Sequence, residues 1–198
     1  MREARSLRPD TQTHRHLNQL SDSELVIMFH DATSRKKAFE HLVDSYQKPV
    51  YFFIRRMVLD HYDADDVTQN TFIKAWRGLD NFRGDSKLST WLFRIATNEA
   101  ITFINKRKKL MGISLDDVEH ALPIALQSDV LYDGDEIQQK LQAAIATLPE
   151  KQKAVFILKY YEEKKYTEIA EITGTSVGAL KASYHHAVNK IEKFITGH

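Results

Sequence analysis

Between positions 177 and 190 the side chains that would point one way from a helix are small or hydrogen-bonding. They are Gly178, Ala179, Ala182, His185, His186 and Asn189, with Ser183 and Lys190 at the edges. Such a face can lie deep in a DNA major groove, its alanines against thymine methyls and its Asn and His on base edges. On the other side Val177, Leu180, Tyr184, Ala187, Ile191 and Phe194 are spaced 3-4-3-4-3, a stripe for burial. Upstream stand Ala170 and, four residues on, Gly174-Thr175-Ser176. A small residue and a glycine able to take positive φ are what the sharp corner of a helix-turn-helix requires. Lys181, Lys190 and Lys193 are few cations for a domain that must hold DNA unaided, which points to a partner carrying most of the affinity. An amphipathic helix with an ordinary wet face is the competing description.

Enzymatic chemistry finds no comparable footing. The chain contains no H-E-x-x-H, no glycine-rich phosphate loop and no G-x-S-x-G. His185 and His186 are adjacent, so on a helix they splay about 100° apart and do not chelate as an i, i+4 pair would. Cysteine is absent, which excludes disulfides, thiolate zinc sites and thiol catalysis. We therefore expect no catalytic residue, metal or cofactor.

The elements that must position the polar face follow from composition. The 198 residues are 42% hydrophobic, with only seven Gly and four Pro, so long helices and one or two domains are expected. The longest apolar runs fall far short of the roughly 20 residues of a membrane span, and the charged N-terminus is not a secretory signal. A soluble, cytoplasmic protein is expected. The net charge of +1 conceals a pattern: residues 1–109 carry +5, residues 110–139 carry −7 with no Lys or Arg, and residues 140–198 carry +3. Two mildly basic blocks flank an acidic connector.

Residues 1–20 read as a flexible tail. Ser21-Asp22-Ser23-Glu24 has capping-box spacing and starts a first helix. A second runs from about Ser34 to Met57, kinked or split at Pro49. Asp63-Ala64-Asp65-Asp66 supplies the cap and anionic first turn of a third, to about Gly78. Ser86 or Ser89 caps a fourth, which ends in Lys106-Arg107-Lys108-Lys109. After the connector four helices are expected, at 135–146, 150–162, 167–173 and 177–196. The fold class is all-α, two helical domains at 21–110 and 135–198 joined by an acidic linker at 111–134.

The stretch DADDVTQNTFIKAWRGLDNFRGDSKLSTWLFRIATNEAI, Asp63 to Ile101, resembles region 2 of bacterial sigma factors, specifically the extracytoplasmic-function (ECF) group of the sigma-70 family. LPEKQKAVFILKYYEEKKYTEIAEITGTSVGALKASYHHAVNKIEKFI resembles their region 4. The two blocks cover roughly 39–109 and 138–195, in the family's order. The resemblance implies a non-enzymatic factor that binds core RNA polymerase, recognises −10 and −35 promoter elements and promotes melting. It implies as partners core polymerase, through the β′ clamp and the β flap, promoter DNA and an anti-sigma factor. The third helix, through Asp63, Asp65, Asp66, Gln69, Asn70 and Lys74, is similar to the clamp-docking segment. There the family usually has Glu at the place of Asn70, and Phe72 and Trp76 are core anchors.

The segment 81–98 is similar to the −10 reader. Melting unstacks bases, and the freed ones must be held by stacking and edge hydrogen bonds. Phe82, Arg83, Asp85, Ser86, Lys87 and Leu88 are the loop residues implied, Leu88 standing where the family has Phe. Trp91, Arg94 and Asn98, at i, i+3 and i+7, share one helical face. The implied role of Trp91 is a wedge at the upstream edge of the bubble, burial being its alternative. The −35 residues implied are Ser176, Gly178, Ala179, Lys181, Ala182, Ser183, His185, His186 and Lys190. Ser183, His186 and Val188 replace the family's arginines, and Arg bidentate to guanine is the commonest direct contact, so an A/T-biased −35 preference is expected. The acidic linker would thread toward the polymerase active-centre cleft and be displaced by nascent RNA. The residues alone leave a self-sufficient helix-turn-helix repressor as the alternative, which would bind duplex DNA tightly without polymerase.

Overall fold

The computed structural model describes residues 20–111 and 136–197. Among these all regular structure is helical. The capping box forms as read: Ser21 accepts from the Glu24 amide while the Glu24 carboxylate accepts the Ser21 N–H at 2.7 Å, opening α1 (Asp22–His30). Helix α2 (Arg35–Val58) runs through Pro49 as one element instead of splitting. Leu42, Val50, Phe53 and Ile54 are buried on both sides of the proline, and packing outweighs one lost hydrogen bond.

Helix α3 (His61–Gly78) begins a turn fraction earlier than expected, because Asp60, not Asp63, takes the extended cap conformation and accepts the Asp63 amide at 2.9 Å. A 3-10 turn (Leu79–Asn81) leads to the loop 82–87, and α4 spans Leu88–Met111. Neither Ser86 nor Ser89 caps α4. The Asp22 carboxylate, 66 residues upstream on α1, accepts the Leu88 N–H at 2.8 Å. The apolar faces of α1 to α4 meet over Phe29, Leu42, Phe53, Ile54, Met57, Val67, Leu79, Leu88 and Leu92.

The second lobe comprises α5 (Glu136–Ala146), α6 (Glu150–Tyr160), α7 (Tyr166–Thr173) and α8 (Val177–Thr196). Helix α6 stops two residues short of the expected end, and Glu163, at φ +50, turns the chain toward α7. The stripe of α8 is buried at Leu180, Ala187 and Ile191 but not at its end, where Phe194 is exposed.

The two lobes lie against each other: α4 packs on α7, and α2 and α4 both meet α6. The expected tail at 1–19 and most of the acidic linker, residues 112–135, lie outside the described residues.

Candidate nucleic-acid interface

The corner of the helix-turn-helix is built by Gly174, which takes φ +67 and donates its N–H to the Ala170 carbonyl at 2.8 Å. Ser176 then caps α8, its hydroxyl accepting from the Ala179 amide. With Leu180, Ala187 and Ile191 turned inward, the residues Ser176, Gly178, Ala179, Lys181, Ala182, His185, His186 and Lys190 are all exposed, and Ser183 and Asn189 half-buried at the margins. The expected face is thus one surface. The His185 ring meets the Asn189 amide at 3.2 Å, a turn apart. A Cβ added at Gly178 would meet nothing within 4 Å, so the protein's own packing makes no demand for glycine there.

The loop 82–87 is held at both ends. At one, Phe82 is 4% exposed, its carbonyl accepting from the His30 ring at 3.2 Å and its ring tilted against Trp91 with centroids 4.9 Å apart. At the other, Leu88 is fully buried and its amide is tied to Asp22. These two residues therefore brace the loop from beneath, in contrast to the base-contacting places expected of them. Between them Arg83, Asp85 and Lys87 are exposed and Ser86 half-buried, with Gly84 at φ +79 making the bend. Trp91 is half-buried in a notch against Gly78, where a Cβ would come within 3.2 Å of its ring. Arg94 and Asn98 stand exposed one and two turns further along the same face of α4. Indole edge, guanidinium and carboxamide form a row, suited to stacking, phosphate pairing and base-edge hydrogen bonding in that order.

On α3 the exposed residues Asp66, Gln69, Asn70 and Lys74 fall on one stripe. Sequence reasoning missed two members of it, Ile73 and Arg77, both exposed; helical arithmetic from Asp66 through i+7 and i+11 would have found them. Three polar residues of α3 also meet partners within the lobe, Lys74 among them although it stays exposed. Asp63 pairs with Arg107 near the end of α4, and Lys74 reaches Glu99 at 2.5 Å. Asp65 is half-buried beside His61, 3.6 Å away. Of the expected core anchors Phe72 is buried, but Trp76 is 37% exposed. It packs edge-on against Phe39 with the Arg35 guanidinium 4.8 Å over its other side, and Arg35 in turn pairs with Asp80 at 2.5 Å.

The family models for Sigma-70 region 2 and Sigma-70, region 4 match residues 42–110 and 138–191. The ECF RNA polymerase sigma factor SigW of Bacillus subtilis is 33% identical over 165 residues, covering 79% of this chain and 88% of SigW. The chain belongs to the ECF group of the sigma-70 family. RNA polymerase sigma-H factor of Pseudomonas aeruginosa is 35% identical over 166 residues (80% of this sigma factor, 86% of the relative). The ECF sigma-E factor of Haemophilus influenzae is 33% identical over 186 residues (89% and 96%). In solved structures the fold is similar to the sigma factor RpoE in complex with the anti-sigma factor NepR from Bartonella quintana. That match has a TM-score of 0.64 at 24% identity, covering 81% of this sigma factor and 98% of that chain. It is similar also to CnrH in complex with the cytosolic domain of CnrY, at TM-score 0.66 and 22% identity, covering 89% and 97%. The two-lobe all-α fold read from the sequence is that of these structures, and the repressor alternative falls away. Among the described residues no helix is long and apolar enough to cross a membrane.

Proposed function

We propose that this sigma factor, whose family acts in promoter recognition and transcription initiation, divides the work among three surfaces. The stripe Asp66, Gln69, Asn70, Ile73, Lys74 and Arg77 on α3 docks on the β′ clamp of core RNA polymerase, with Asp63 and Asp65 positioning it. Arg83, Asp85, Ser86 and Lys87, with Trp91, Arg94 and Asn98, hold the opened −10 strand. The exposed face of α8 reads the −35 element, and the second lobe meets the β flap. An anti-sigma factor restrains the whole, and lobes bounded at 21–110 and 135–198 are the working units.

The observation that carries this reading is the row Trp91, Arg94, Asn98 beside a loop anchored at both ends. A base-holding loop must be rigid where it is rooted and polar where it is free, since single-stranded bases are captured by stacking and fixed donors. On α8 the exposed face has small and imidazole-bearing residues with Lys181 and Lys190 and no arginine, which suits A/T contacts more than guanine. Multi-round transcription with purified core polymerase, with and without this protein, tests the function. Transcript is expected only with both. Failure to associate with core polymerase, even freed of any bound inhibitor, ends the proposal. Binding-site selection is expected to return an A/T-biased −35 consensus, and a G-rich one overturns that part.

A further inference from the structure

On the wet side of α8 two polar side chains meet across one helical turn. The Asn189 Nδ2 lies 3.2 Å from the His185 Nε2, at the i, i+4 spacing where side chains of one helix face each other. An amide nitrogen only donates, so the ring nitrogen accepts and the ring carries its proton on Nδ1. The bond joins two residues of the same helix and ties α8 to no other element. Leu180, Ala187 and Ile191, which do hold the helix in the lobe, point the other way. His185 is exposed; Asn189 is half-buried and lines an open cleft toward the start of α6 with Gln152, Lys190 and Lys193.

The contact consumes one of the two amide hydrogens and leaves the second, with Oδ1, for another partner. A donor beside an acceptor is what an Asn offers to N7 and N6 of adenine in the major groove. The tether also fixes which way round they stand. Turned over, the amide would set Oδ1 against a ring nitrogen that has no hydrogen, two acceptors in contact. Asn189 is the one amide side chain on α8.

We infer that Asn189 reads one adenine of the −35 element, and that His185 is a positioning residue deciding which strand of that base pair must carry it. A·T and T·A pairs present N7 and N6 in opposite order across the groove, so a freely turning amide fits both and a tethered one fits a single sense. The inference deepens the α8 reading proposed above and rests on it.

The test is binding-site selection by core polymerase carrying the full chain, from promoters randomised through the −35 tract, at low salt where binding is strongest. At one base pair the unsubstituted protein is expected to favour A·T over T·A about tenfold, within the range of a bidentate base contact. His185→Ala is expected to lower that ratio to about twofold or less while both senses stay preferred over G·C. Asn189→Ala should remove the preference at the same pair, and the double variant should match Asn189→Ala there, because His185 acts through the amide. His185→Glu supplies an acceptor-only partner, so strand preference should persist while every site binds more weakly against the phosphates. A loosened helix would lose both together. An undiminished ratio in His185→Ala, a loss at a pair that Asn189→Ala leaves alone, or loss of strand preference in His185→Glu overturns the inference. If the unsubstituted complex selects no −35 tract at all, the function proposed above is at fault. If it selects one and Asn189→Ala alters none of its pairs, the adenine reading alone is wrong.

Discussion

The two proposed reading surfaces solve different problems with different residues. The first lobe presents cations on a loop nailed down by Phe82 and Leu88, with an indole beside it on α4, a construction for capturing bases that have left the duplex. The second presents a smooth helical face of glycine, alanine and imidazole, a construction for entering an intact groove. Rigidity comes from tertiary anchors in the one and from regular helix geometry in the other. The loop needed a carboxylate from α1 and a carbonyl bond from His30 to be held, whereas α8 needed only its Ser176 cap and Gly174 corner.

The largest expected effect tests the melting half. Trp91→Ala should cost about 1–3 kcal/mol of open-strand holding, as base–aromatic stacking does. Initiation is then expected to fall tenfold or more on intact promoters and recover on pre-melted ones; equal loss on both would assign Trp91 to packing alone. Next comes the foundation of the second lobe, where Lys153 is buried on α6 and its pKa is lowered to about 8, chiefly by burial, from an ordinary 10.5. The folded state then binds fewer protons than the unfolded between those values, so stability rises with pH across that window and is least below pH 8. Lys153→Met should abolish the rise and stabilise the protein at neutral pH by about 2 kcal/mol. Thermal melts at pH 7 and 9.5 check it, and parallel curves for both proteins would refute it.

His186→Arg would place a bidentate donor where the smooth face has imidazole. It is expected to shift selected −35 sites toward guanine at one position by about 1–2 kcal/mol of discrimination; an unchanged consensus would mean that His186 does not face a base. The smallest effect is expected of Gly178→Ala. The added methyl meets nothing in the protein, and alanine favours helix by about 0.5–1 kcal/mol, so melting temperature should hold or rise while −35 affinity drops. A loss of stability instead would show an internal reason for the glycine.

What was legible in the sequence followed local physics. Helix α8 and its polar face came directly from periodicity, because small and apolar residues alternate at 3.6-residue spacing and the corner glycine marks its start. The Ser21 capping box was equally local. What was missed needed the third dimension. The cap of α4 comes from Asp22, and no window along the chain joins it to Leu88. Burial of Phe82 depends on the notch that Gly78 leaves for Trp91. Trp76 stands at the surface with Arg35, from another helix, lying over its ring. The contact of the lobes was invisible to a count of net charge.

The tie between Asp22 and the first amide of α4 carries a last implication. With its origin set from a distant helix, the row Trp91, Arg94, Asn98 keeps its register whatever the intervening segment spells. On the proposed reading, residues 83–87 can change to suit other promoter sequences while the scaffold behind them stays still.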